Sequence, residues 1–202
     1  MTVIHVVGLD AALSNVGIVE ARLVLPERRI LVDNLTLIQT EKTASKQVRS
    51  SSDDLRRAME IARALQAPLK RCAFFFSEVP SGAQSARAAK LLGMAVGIIA
   101  TAGVFAGRQL IEVSPTETKL ASVGRKDATK PEMIDWAVAR YPNANWLRVA
   151  KDKTVGKRAF KKGDLLADNE HLADGVAVIH AGIETPVFAQ ALAMAGGMMQ
   201  PV

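Results

Sequence analysis

Apolar positions along the chain alternate between two kinds of run. Val3 to Leu9, Val16 to Val24 and Ile30 to Ile38 are short stretches dense in Val, Ile and Leu, the composition of strands. Ser14-Asn15 with Gly17 breaks the first pair, and Pro26-Glu27-Arg28 breaks the second. Three strands with such short connections predict an antiparallel meander. From Asp53 onward the apolar residues Leu55, Met59, Ile61, Ala62 and Leu65 follow a helical period, with Asp53 as the cap and Pro68 as the stop. Cys72 to Ser77 predicts a fourth strand, directly followed by Glu78. A long helix from about Ser81 to Ala106, a fifth strand from Gln109 to Val113 and a short helix from Thr116 to Ser122 come next. Thr129-Lys130-Pro131-Glu132 is a capping box with proline just inside the helix start, and that helix runs to about Tyr141, before Pro142. A last long helix is predicted from Asn169 to about Glu184.

Three strands, helix, strand, helix, strand, then helices is the order of an α/β, RNase H-like fold. It predicts a mixed five-stranded sheet, three antiparallel strands followed by parallel additions, flanked by helices. Residues 1–186 are expected to form this domain. Residues 187–202, rich in Met and Ala, are expected to be a tail that is helical or serves as a dimer contact. A chain of 202 residues with 49% apolar and 23% charged residues is globular rather than disordered or fibrous. Cys72 is the only cysteine, which excludes a disulfide framework or a cysteine zinc cluster, and three histidines are too few for a histidine-rich metal site. The N-terminus lacks a basic segment and a cleavage site, so no signal peptide is expected. The longest uncharged run, Leu91 to Gly107, is short for a membrane span and predicts a buried helix, so the chain reads as soluble, intracellular and cytoplasmic, with no membrane partner.

Charge changes the picture once it is located. Arg148, Lys151, Lys153, Lys157, Arg158, Lys161 and Lys162 stand in one stretch with Asp152 as the only acid, so the net charge of +6 resides there and the remainder is neutral. Gly156 and Gly163 and the lack of apolar periodicity make residues 147–163 read as a mobile loop, suited to a polyanion.

Four groups stand where elements end or begin. Asp10 ends the first strand, Glu78 follows the fourth, and His171 and Asp174 lie three residues apart on one face at the start of the last helix. If the first and fourth strands are parallel neighbours, their carboxyl ends coincide, and ligands of α/β sheets bind there. Clustered carboxylates repel unless a cation neutralises them, and hard oxygen donors suit Mg2+ or Mn2+. Two such ions can activate water and stabilise the leaving oxygen of a phosphodiester. Asp10, Glu78, His171 and Asp174 are therefore the candidate catalytic groups and metal ligands, with His171 as a ligand or a water-orienting base.

The same residues carry a resemblance to the RuvC-type Holliday-junction resolvases. Gly8-Leu9-Asp10 with the later Gly17, Glu78 after its apolar strand, the glycine-bearing helix from Ser85 to Ala100, and His171-Leu172-Ala173-Asp174-Gly175-Val176-Ala177 are similar to that family's motifs. Lys119 and Lys130 match basic positions near its active centre. The resemblance implies a metal-dependent endonuclease, with two ions in the family pattern, that acts as a homodimer on four-way DNA. It implies that Lys119 and Lys130 contact phosphates. Family members often carry an aromatic wedge shortly after the second acid. Val79-Pro80-Ser81-Gly82 has none, so no residue is assigned that role. A nuclease for forks or flaps, and a non-catalytic junction-binding protein, are the alternatives. An actin-like or sugar-kinase ATPase is disfavoured, because the chain is too short for two such domains and Asp10-Ala11-Ala12-Leu13 lacks a phosphate loop.

Overall fold

Strands β1 (Thr2–Ala11), β2 (Asn15–Leu25) and β3 (Arg29–Gln39) form the expected meander, β1 and β2 being antiparallel and β2 and β3 antiparallel. The structure is a computed structural model that describes residues 2–79, 82–156 and 158–198. β4 (Phe74–Glu78) adds to β1 in parallel and β5 (Gln109–Val113) adds to β4 in parallel, which gives the order β3-β2-β1-β4-β5. The five-stranded mixed sheet and its order match the expectation from the sequence.

Side chains alternate across this sheet with the strand period of two. Val6, Phe74 and Phe76 face one apolar cluster, which is completed by Leu172, Val176 and Ile179 of α5 (Asn169–Gly182). Val7, Leu9 and Phe75 face the other, which is completed by Ile61 and Leu65 of α1 (Ser50–Arg71) and Ile99 of α2 (Ala86–Ala106). Helices α3 (Pro115–Ser122) and α4 (Lys130–Arg140) cover the α5 side. Phe188 of α6 (Pro186–Met198) is buried in the first cluster, edge-on to Phe74.

Three expectations are corrected. α1 begins at Ser50 rather than at Asp53, whose carboxylate is buried in the first turn, and it continues through Pro68 to Arg71. Proline removes one backbone donor, and with a single turn remaining the helix closes through the Cys72 amide onto the Pro68 carbonyl. α2 is not a buried helix. Ala95, Ile99 and Gly103 are its buried residues, while Val104 is 79% and Phe105 87% exposed. It is apolar nearly all round, so its periodicity marks no face, and by length and composition alone it is long enough to cross a bilayer. α5 and α6 pass the same test only if counted as one span across a 72° bend. The basic stretch is not structureless: β6 (Lys153–Val155) and β7 (Arg158–Phe160) pair as a short antiparallel hairpin.

Candidate active site

The carboxyl ends of β1 and β4 lie side by side, because Leu9 pairs with Ser77 in the parallel register. Asp10, near the end of β1, and Glu78, the last residue of β4, therefore stand on adjacent strands at one pole of the sheet. α5 delivers the other two groups. It reaches them because glycines remove side chains where helix and sheet meet. A Cβ on Gly17 would collide with the His171 carbonyl, and one on Gly8 would collide with the Gly175 carbonyl. α5 thus rests on the backbone of β1 and β2. His171 Nδ1 lies 2.7 Å from Asp10 Oδ2, and its Nε2 lies 3.5 Å from Glu170 Oε1. Lys130, at the start of α4, closes the row with Nζ 2.8 Å from Glu170 Oε1.

Packing acids together at a half-buried pole has an electrostatic cost, and it appears on two of them. Asp174 is pushed up to about 7, by burial first and then by the charges of Asp10 and Glu78, against the opposing pull of His171. Glu78 is raised by burial and by Asp10, with Thr118 and Lys119 acting the other way. His171 is raised as well, chiefly through its hydrogen bond to Asp10, against the opposing effect of burial. The site therefore resists holding its full set of negative charges at neutral pH, which is the condition that a cation relieves.

The donor set, three carboxylates and one imidazole, fits a hard divalent cation. As the side chains stand, no three His, Cys, Asp or Glu groups among the described residues surround one point closely enough to hold an ion. His171 is turned onto Asp10 instead, so a bound cation would have to replace that hydrogen bond.

Of the sequence-predicted cations, Lys119 lies near enough to Glu78 to lower its pKa, and Lys130 is raised chiefly by its hydrogen bond to Glu170 and further by the charges of Asp174 and Asp10. Arg148, Lys151, Lys153, Lys161 and Lys162 are exposed on and around the β6–β7 hairpin, with Arg148 bonded to the Gly163 carbonyl. Arg158 is on β7, and Lys157 lies outside the described residues. The hairpin is anchored beside the site. Asn169, fully buried at the start of α5, donates to the Leu147 carbonyl and accepts from the Leu147 amide, both at 2.8 Å.

Two residues that the sequence did not single out belong to the site's support. Glu170 links His171 to Lys130, and its signal was only its place next to His171. Arg57 is 1% exposed and donates to the Leu13 carbonyl (3.2 Å), Ser14 Oγ (2.8 Å) and Thr40 Oγ1 (2.9 Å). It fastens the β1–β2 turn that follows Asp10. The available signal was a charged residue four positions before Ile61 on the buried stripe of α1.

Fold and site together define an RNase H-like α/β protein with an acidic centre at the carboxyl ends of β1 and β4. No family model matches the chain, and no curated protein matches it. Solved structures do. RuvC of Thermus thermophilus in complex with a Holliday junction substrate superimposes with a TM-score of 0.63 at 18% identity, over 94% of this chain and 96% of that one. A second Thermus thermophilus RuvC structure gives 0.60 at 18% identity, over 96% and 97%. The chain has the RuvC fold over nearly its whole length.

Proposed function

We propose that the protein is a divalent-metal-dependent endonuclease that nicks four-way DNA junctions in symmetric strands. The observation that carries this reading is the convergence of Asp10, Glu78, His171 and Asp174, with Lys119 and Lys130 beside them, at one pole of a RuvC-like sheet. Asp10, Glu78, Asp174 and His171 would hold two Mg2+ or Mn2+ ions. When bound, such ions supply an activated water and stabilise the leaving oxygen of a phosphodiester. His171 would act either as a ligand or, where it is not bound to an ion, as a base that orients water. Lys119 and Lys130 are cations beside the position where negative charge develops on a phosphate, and they favour that charge. The hairpin cations extend the same attraction along the nucleic acid.

Each protomer contains all four central groups, so two strands of a junction require two protomers. A homodimer with two-fold symmetry matches the near two-fold symmetry of junction arms. The exposed apolar face of α2 is the surface we assign to that contact.

The test is incubation with labelled four-way junction, fork and linear duplex, with and without Mg2+. Mg2+-dependent paired nicks in the junction are expected, and Asp10→Asn should remove cleavage by orders of magnitude while junction binding persists. Cleavage confined to forks or flaps would redirect the substrate. Junction binding without cleavage would make this an architectural protein.

A further inference from the structure

Counted along the sequence, the net charge of the chain resides in one stretch; the structure leaves further cations unpaired elsewhere on the surface. The connection from β3 to α1 carries Lys42, Lys46 and Arg49, and α2 opens with Arg87, all exposed. Of the acids nearby in sequence, Glu41 is exposed beside Lys42, whereas Asp53 and Asp54 do not face the cations. Asp53 is 5% exposed, accepts from the Thr43 amide and is paired with Arg56 at 2.9 Å. Asp54 is 3% exposed and is paired with Lys90 at 2.8 Å and Arg57 at 3.7 Å. These buried carboxylates are used up by Arg56, Arg57 and Lys90. Among the described residues, Lys42, Lys46, Arg49 and Arg87 have no carboxylate partner.

The four cations belong to one surface. Arg56 donates to the Glu41 carbonyl, which lays the connection on the first turn of α1, and the Lys90–Asp54 pair brings the start of α2 to that same turn. Arg57 ties this turn to Leu13 and Ser14, three and four residues beyond Asp10, and the Thr40 amide bonds the Ser14 carbonyl. The surface therefore sits at the catalytic pole, on the α1–α2 side of the sheet. Lys119, Lys130 and the β6–β7 hairpin sit on the α3–α5 side.

We propose that Lys42, Lys46, Arg49 and Arg87 form a second phosphate-binding arm, so that the carboxylate centre lies between two cationic surfaces and nucleic acid is held on both sides of it. The partner is the backbone of a DNA duplex arm: the cations are exposed, and residues 40–50, which carry three of them, include no aromatic side chain, which suits phosphates rather than bases. This inference rests on the nuclease reading and deepens it, since it names what the opposite flank of that site touches.

The test replaces Lys42, Lys46, Arg49 and Arg87 with serine together, and measures binding to a four-way junction and to a linear duplex across a salt series in EDTA, where no cleavage intervenes. All four side chains are solvent-exposed, and an unchanged melting temperature verifies the fold. If roughly half of them meet phosphates, the slope of log K against log[salt] should flatten by about 2, at ~0.9 per phosphate neutralised, and affinity at ~0.1 M salt should fall by some tens of fold. Serine replacements in the β6–β7 hairpin should add to this loss independently, because the two arms share no side chain. A slope and affinity equal to the parent's would overturn the second arm while leaving the nuclease reading intact. Absence of salt-dependent DNA binding by the parent protein would overturn both.

Discussion

Single residues here pull stability in opposite directions with pH, and both pulls arise from burial. His180 is half-buried at the end of α5, with Nε2 2.8 Å from the Tyr141 hydroxyl, and is lowered to about 4 by burial and by Arg140. Its unfolded value is near 6.5, so the unfolded chain binds the proton more tightly. The stability from keeping His180 neutral is present above about pH 6.5 and is lost as pH falls through about 4. At 1.36 kcal/mol per unit that is at most about 3 kcal/mol. His180→Gln should flatten the acid limb of a denaturant-melt series between pH 7 and 4. An unaltered acid limb would assign acid lability elsewhere. Asp174 has the opposite sign. Its folded value of about 7 lies above the ordinary 3.8, so the folded state binds the proton more tightly, and stability is lost as pH rises from about 4 through 7. Asp174→Asn should therefore be the more stable protein at pH 8 without metal, by on the order of 1–3 kcal/mol after sharing the repulsion with Glu78 and Asp10. The same variant should be inactive and should gain no stability from added Mg2+, whereas the parent gains. Equal melting of parent and variant at pH 8 would mean that the carboxylates do not repel as their packing requires.

Elements place these residues, and the decisive contact is the one between α5 and the first two strands. Gly17 leaves room for the His171 carbonyl, and Gly175 packs in turn against Val19. Gly17→Val should force α5 away from the sheet, cost about 1–3 kcal/mol as overpacking does, and reduce cleavage more than DNA binding, because His171 and Asp174 move while Lys42, Lys46, Arg49 and Arg87, which α5 does not hold, stay. A denaturant melt and a cleavage assay on the same preparation check this, and wild-type cleavage would show that the spacing of α5 is not what aligns the site. This is also the scale at which the sequence was most and least legible. β5 was predicted to the residue, and β1, β2 and β3 to within two, because half-buried or buried strands write their period in Val, Ile and Leu. The ends of β1 and β4 exposed Asp10 and Glu78 as candidates, since a strand end needs no acid for its own sake. The hairpin was illegible: the three-residue strands Lys-Thr-Val and Arg-Ala-Phe are too short to carry a period. The role of Arg57 was illegible for another reason. Its acceptors, Leu13, Ser14 and Thr40, are distant in sequence, and only the tertiary structure brings them together.

The whole molecule has one feature that a lone protomer does not explain, a helix of 21 residues whose apolar surface is largely uncovered. α2 packs on α1 through one stripe, Val104 and Phe105 remain exposed, and the exposed Met59 of α1 lines the same groove between the two helices as Phe105. Isolated exposed apolar residues are ordinary, but a contiguous set on two packed helices marks an interaction surface. A second copy is the partner that the proposed function needs, because a junction presents two equivalent strands and each protomer supplies one set of Asp10, Glu78, His171 and Asp174. Two-fold symmetry would place each Phe105 in the contact twice over, once from each protomer. Burying an aromatic side chain is worth roughly 2–3 kcal/mol, so introducing two charged residues in their place should weaken association by at least a thousandfold. Phe105→Glu should therefore sediment as a monomer at micromolar concentration while the parent sediments as a dimer, with an unchanged circular dichroism spectrum, since Phe105 is 87% exposed in the protomer. The monomer should still nick one strand of a junction in Mg2+, because its site is complete, but paired nicks within one binding event should disappear. Dimers of both proteins would move the interface off this helix. A monomeric parent would remove the two-fold model, and recovery of the parent in the membrane fraction would assign the same apolar face to a bilayer.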